Sequence, residues 1–137
     1  MKFIPISRPK ITNEDIASVT KALKSGWITN GPETKSLEEL VSKKLKAKNV
    51  VSVNSCTNGI IASIIANGCK PGDEVMTPAT TFISTIHSLY NLKLKIKLCD
   101  VDTKTLSTNK KFFIERVNKK TKFFIPVHFG GNPIDIK

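Results

Sequence analysis

The residues best suited to chemistry in this 137-residue chain are Ser55-Cys56-Thr57-Asn58-Gly59. They lie between a short, apolar, β-branched run at 49–54 and an apolar run at 60–66 that ends on Asn67-Gly68. The first pattern predicts a buried strand and the second a helix with a strong C-terminal signal. A helix N-terminus exposes unpaired backbone N–H groups and the positive end of its dipole. Small residues let an anion approach that backbone, and the hydroxyls of Ser55 and Thr57 can complete the shell around a phosphate. The simpler alternative is that Ser55 or Thr57 serves only as an N-cap. The loop matches neither the P-loop pattern nor GxGxxG.

The elements that must position this loop alternate in type. Pro5, Ser7 and Pro9 predict an extended opening. Thr12 reads as an N-cap with Asp15 at the capping-box position, ahead of a helix presenting Ile16, Val19 and Leu23 until Gly26 stops it. After turn signals at Asn30-Gly31-Pro32, a second amphipathic helix carries Leu37, Leu40, Val41 and Leu45. Its acids lie early and its lysines late, as the macrodipole favours. Lys70-Pro71-Gly72-Asp73 is a turn, residues 74–77 a short strand closed by Pro78, and a helix starts near Thr81 with Phe82, Ile86, Leu89 and Tyr90. Residues 93–100 alternate lysine with Leu94, Ile96 and Leu98, predicting a strand with one buried and one wet face. A short helix around Phe113, Ile114 and Val117 precedes an apolar strand at 123–127, and residues 128–133 return to loop. Strands alternating with helices predict a parallel α/β sheet. Ligands in such sheets gather beyond the carboxyl ends of the strands. The loops at 55–59, 78–82 and 128–131 each follow a predicted strand and should open on one edge.

Composition excludes several function classes. The formal charge is +11, yet the bases are almost all scattered lysines, with Arg8 and Arg116 the only arginines. No aromatic-interleaved basic motif or arginine set for base reading is present, so no nucleic-acid partner is expected. No apolar run is long enough to span a bilayer, and Lys10, Asn13, Glu14 and Asp15 spoil a signal-peptide reading, so no membrane partner and a cytoplasmic location are expected. Cys56, Cys69 and Cys99 form no CxxC pair and no zinc pattern, which predicts free thiols and no metal site.

Taken in order, further blocks become recognisable. They are Pro9 with Ile11 and Glu14-Asp15-Ile16, then Ser25-Gly26-Trp27-Ile28-Thr29-Asn30-Gly31-Pro32, then Ser55-Cys56-Thr57-Asn58. Pro71-Gly72-Asp73-Glu74-Val75, Pro78-Ala79-Thr80-Thr81-Phe82, Asp100-Val101-Asp102 and Pro126-Val127-His128 with Gly131 complete the series. Over essentially its whole length the chain resembles the pyridoxal 5'-phosphate (PLP)-dependent aminotransferases that act on nucleotide-linked keto-sugars, the DegT/DnrJ/EryC1/StrS group.

The resemblance implies an α/β fold, the PLP-dependent transferase fold type I with an aspartate aminotransferase-like large domain. Residues 1–137 would hold the N-terminal segment and an incomplete large domain, without the small C-terminal domain. Thr57 would bind the PLP phosphate through its hydroxyl and Asn58 through its backbone N–H, with Ser55 in the same cradle. Phe82 would stack on the pyridine ring, whereas burial statistics by themselves favour a core phenylalanine. Trp27 and Thr29 fall in the block bordering the sugar-nucleotide site, and a packing role for Trp27 competes with that. His128 reads as a satisfied structural histidine. Two positions depart from the family pattern: Cys56 stands where Gly or Ala is usual, and Gly59 replaces a small helix former at a cost of about 1 kcal/mol relative to Ala.

The resemblance also places outside this chain the aspartate that pairs with the pyridine nitrogen and the lysine that forms the Schiff base. No catalytic residue is therefore assigned here, and the chain is expected to be inactive alone and to bind PLP at most weakly and non-covalently. The complete enzyme would transfer an amino group, from glutamate, to a keto-sugar nucleotide in cell-surface polysaccharide or lipopolysaccharide sugar biosynthesis. It would act as a homodimer. The alternatives are a non-catalytic phosphate-binding or interaction module, or one half of a split enzyme.

Overall fold

The computed structural model describes residues 3–5 and 7–135. The chain divides into two compact units, one ending at Ser52 and the other beginning at Val53.

The first unit holds two helices, α1 (Asn13–Lys24) and α2 (Pro32–Leu45). Thr12 caps α1 in the predicted capping box: the Asp15 backbone N–H donates to the Thr12 hydroxyl at 3.2 Å, and Asp15 accepts from the Thr12 backbone N–H at 2.8 Å. The Thr12 backbone N–H, and after it the Thr12 hydroxyl donating at 2.8 Å, hold the Asp15 carboxyl below the usual carboxylate range. A depressed folded-state pKa adds stability that is present above the unfolded value of about 3.9 and is lost as pH falls through the lower folded value. The stability advantage of the natural chain over Asp15→Asn should accordingly be full above about pH 5 and shrink with acidification, as read by helical circular dichroism. Pro32 occupies the first turn of α2, where its missing N–H costs nothing. The amphipathic faces form as the sequence predicts, but Ile16, Val19, Leu23, Leu37 and Leu40 remain exposed.

In the second unit, three strands form one parallel sheet of order β2-β1-β3, with β1 at Glu74–Pro78, β2 at Lys95–Cys99 and β3 at Thr121–Phe124. Helices α3 (Cys56–Ala66), α4 (Ile83–Asn91) and α5 (Lys110–Arg116) accompany them. Pleating divides the side chains between the two faces. On one face Val75 sits opposite Ile96 and Phe123 and joins Ile60 and Ile64 of α3, Leu89 of α4, and Leu94 in the main core. On the other, Met76 sits opposite Phe124, whose ring meets Phe113 of α5 at 4.8 Å between centroids. Glu74 ties the strands at their amino ends, accepting from the Thr121 hydroxyl at 2.6 Å and pairing with Lys97 at 3.7 Å. The turn into β1 needs φ +90° at Gly72, which explains the glycine there.

Four expectations are corrected. Residues 49–54 join no ladder among the described residues, and Val51 and Val53 are exposed rather than buried. β3 comprises 121–124 instead of 123–127; Ile125 still donates to the Met76 carbonyl, after which Pro126 has no N–H to continue. β2 is not cleanly two-faced: Leu98 is exposed while Lys97 is partly covered, since β2 is an edge strand whose lysine reaches Glu74. The helix predicted from Thr81 begins at Ile83, with Phe82 as its N-cap. Among the described residues, no helix is long and apolar enough to cross a membrane.

Candidate functional site

The loop at 55–59 opens α3, and the capping alternative is resolved in favour of Ser55. Ser55 is the extended N-cap residue, and its hydroxyl accepts the Asn58 backbone N–H at 3.2 Å. Thr57 is therefore inside the first turn, and its hydroxyl has no hydrogen-bond partner among the described residues. The N–H groups of Cys56 and Thr57 precede the first intrahelical acceptor, as in any helix start. No acidic side chain lies in the first turn of α3, whereas α1 and α2 carry their own carboxylates there. The donor set is thus two backbone N–H groups, the Thr57 hydroxyl and an unneutralised dipole end, which suits a phosphate. The Asn58 N–H would have to leave Ser55 to join it.

α3 packs against α4, and the chain reaches α4 from the carboxyl end of β1. That connection is anchored: Ala79 donates to the Cys99 carbonyl at 2.9 Å, and the Thr81 and Thr85 hydroxyls bond each other at 2.9 Å. Phe82 projects from this anchored turn with 76% of its surface exposed, so it takes no part in the core of this chain. A flat apolar ring held open to solvent suits stacking on a planar ligand.

Ser55, Thr57, Asn58 and Phe82 all belong to the second unit, and Trp27 and Thr29 to the first. Both Trp27 and Thr29 are exposed. Trp27 lies over Gly31, where a side chain would meet its ring at 2.8 Å, so the indole has a packing role within the turn. His128 is satisfied structurally, its Nδ1 accepting the Ile134 backbone N–H at 3.2 Å. Sequence reasoning passed over Asn54, whose side chain bonds Asn58; the spacing of four residues between two asparagines was the available signal.

All three cysteines are free: Cys56 exposed, Cys69 partly covered and Cys99 buried. Burial, with Asp73 adding to it, pushes the Cys69 thiol up, and burial does the same for Cys99. At neutral pH an aromatic disulfide reagent should label Cys56 first, Cys69 slowly and Cys99 only on denaturation. Prompt labelling of Cys99 in the folded chain would contradict this packing.

An open parallel α/β unit with a phosphate-suited helix start and an exposed aromatic beyond a strand end is of the architecture in which cofactor- and nucleotide-binding domains are built. The comparisons are specific within that class. The chain belongs to the DegT/DnrJ/EryC1/StrS aminotransferase family, whose model matches residues 9–137. It is 38% identical over 135 residues to a UDP-4-amino-4-deoxy-L-arabinose–oxoglutarate aminotransferase of Shewanella sediminis, covering 98% of this chain and 35% of that protein. Among solved structures, the PLP form of a sugar aminotransferase described as putative, from Streptococcus pneumoniae, superposes with a TM-score of 0.87 at 32% identity, over 96% of this chain and 34% of that one. A GDP-4-keto-6-deoxy-D-mannose-3-dehydratase of E. coli with bound hydrated PLP superposes equally well, at 0.87 and 27% identity, over 94% and 35%. The fold is accordingly part of the α/β PLP-dependent transferase fold type I. The chain spans about a third of the length of these relatives.

Proposed function

We propose that this chain is the N-terminal part of a PLP-dependent sugar aminotransferase that moves an amino group from glutamate to a keto-sugar nucleotide. The observation that carries the reading is the family match across residues 9–137, joined to a helix start whose donors suit a phosphate. The described residues fit the cofactor in kind: the Thr57 hydroxyl and first-turn N–H groups for its phosphate, and the exposed face of Phe82 for its ring. PLP supplies an electron sink to the carbanion formed when an amino donor loses its α-proton. What this chain's own residues contribute is binding and orientation. Thr57 and Asn58 fix the phosphate end, Phe82 fixes the ring plane, and Trp27 and Thr29 border the sugar-nucleotide site. The proton-moving lysine and the aspartate for the pyridine nitrogen belong to the other two-thirds of the fold. In the complete enzyme the assembly is a homodimer in the cytoplasm.

Sequencing the coding DNA beyond Lys137 tests the reading. It is expected to reveal a frame encoding a family-type aspartate and lysine in order. Unrelated sequence there would overturn it.

A further inference from the structure

The approach to the phosphate turn is fastened by side chains, because no sheet ladder among the described residues holds residues 53 and 54. Two contacts perform this. The Asn58 side-chain amide donates from Nδ2 to Asn54 Oδ1 at 2.7 Å. Val53 lies against the first turn of α3, its Cγ2 standing 3.3 Å from the point that a Cβ on Gly59 would occupy. The glycine therefore has a local purpose: a larger residue would force Val53 to give way by a few tenths of an ångström. Asn58 is also held from its backbone, through the Ser55 hydroxyl at 3.2 Å, and Gly59 donates to the Ser55 carbonyl at 3.0 Å.

We propose that Asn54 is a positioning residue for the phosphate site, acting through the side chain of Asn58, with Gly59 leaving room for Val53 as the second point of the brace. The proposal rests on the reading of the α3 start as the phosphate cradle. Its physical basis is preorganisation. An anion is bound well only if the N–H and hydroxyl donors are already aimed, and loosening the residue pair across the N-cap spreads their directions. Neither asparagine needs to touch the phosphate with its side chain. Asn58 ties the first turn of α3, with its free Cys56 and Thr57 N–H groups, to Asn54, and Asn54 fixes where that turn lies.

The test uses the 137-residue chain with Asn54→Ala, Asn58→Ala and both together. PLP affinity is measured by titration, with pyridoxal, which lacks the phosphate, as reference, and amide hydrogen exchange at Thr57 and Asn58 is followed without ligand. Both asparagines are exposed, so the fold should survive. Each single variant is expected to weaken PLP binding by about two- to tenfold, the range one hydrogen bond's net worth spans. The double variant should be no weaker than the weaker single, since both remove one shared contact. Exchange at Asn58 should quicken alike in all three, while Asn54→Asp, which keeps an acceptor, should retain slow exchange. Unchanged exchange and affinity in Asn54→Ala, or a double variant whose loss is the product of the singles, would overturn the proposal. Should the natural chain bind PLP no better than pyridoxal, the phosphate reading fails. The exchange cycle would then still decide whether Asn54 braces the turn.

Discussion

Leu89→Ala is expected to destabilise the second unit by about 2–5 kcal/mol, the usual cost of emptying a fully enclosed leucine site. Leu89 is 0% exposed and meets Ile64, Val75 and Leu94, so its side chain joins α4 to α3 and to the sheet. Domains are stable by only about 5–15 kcal/mol in total, and this one substitution removes a large share. Urea titration followed by reactivity of Cys99, which is 1% exposed, reports the second unit specifically. The single tryptophan belongs to the first unit and does not serve that purpose. Ile65→Ala is the control: Ile65 is the next residue to core Ile64 yet lies 56% exposed, and its loss should shift the midpoint far less. Equal shifts for the two would contradict the core described above.

Thr57→Val is expected to weaken PLP binding by roughly ten- to a hundredfold, matching the 1.5–3 kcal/mol of a hydrogen bond to a charged group. Valine keeps the branched shape, so the helix start is preserved while the hydroxyl is lost. Ser55→Ala separates the two roles available to hydroxyls in this loop. Ser55 caps α3, so its loss should cost about 1 kcal/mol of stability. The same change frees the Asn58 N–H for an anion, and affinity should fall less than with Thr57→Val. Pyridoxal binding should not respond to Thr57→Val. If it weakens as much as PLP binding does, Thr57 does not act on the phosphate.

Much of this arrangement was legible because it is written locally. Thr12 with Asp15, Pro32 at a helix start, and Pro71-Gly72 before β1 each carry their own short-range chemistry, and each appears where the pattern put it. The start of α3 was legible in the same way, since a small hydroxylated stretch before an apolar run marks a helix start. Features set by non-local neighbours were not legible. Residues 49–54 have the composition of a buried strand, but pairing depends on a neighbour that composition does not specify. Leu98 reads as a core position until β2 proves to be an edge, and Phe82 reads as core until its turn proves to be anchored facing outward. Whether Ser55 or Thr57 capped the helix rested on a difference of two positions, which only the geometry of the Asn58 N–H decides.

The central place of β1 has a kinetic consequence. Glu74 pairs with Lys95 across a single intervening helix, and with Thr121 only after a segment more than twice as long. Closing the longer loop costs more chain entropy, by about 0.6 kcal/mol per doubling. The β1-α4-β2 portion should therefore assemble first, with β3 docking onto a preformed edge. Substitutions at Leu89 would then slow folding, while those at Phe123 would chiefly hasten unfolding. Refolding and unfolding rates of the two variants would separate these stages. The residue order that sets the strand order β2-β1-β3 would thus also set the sequence in which the sheet is built.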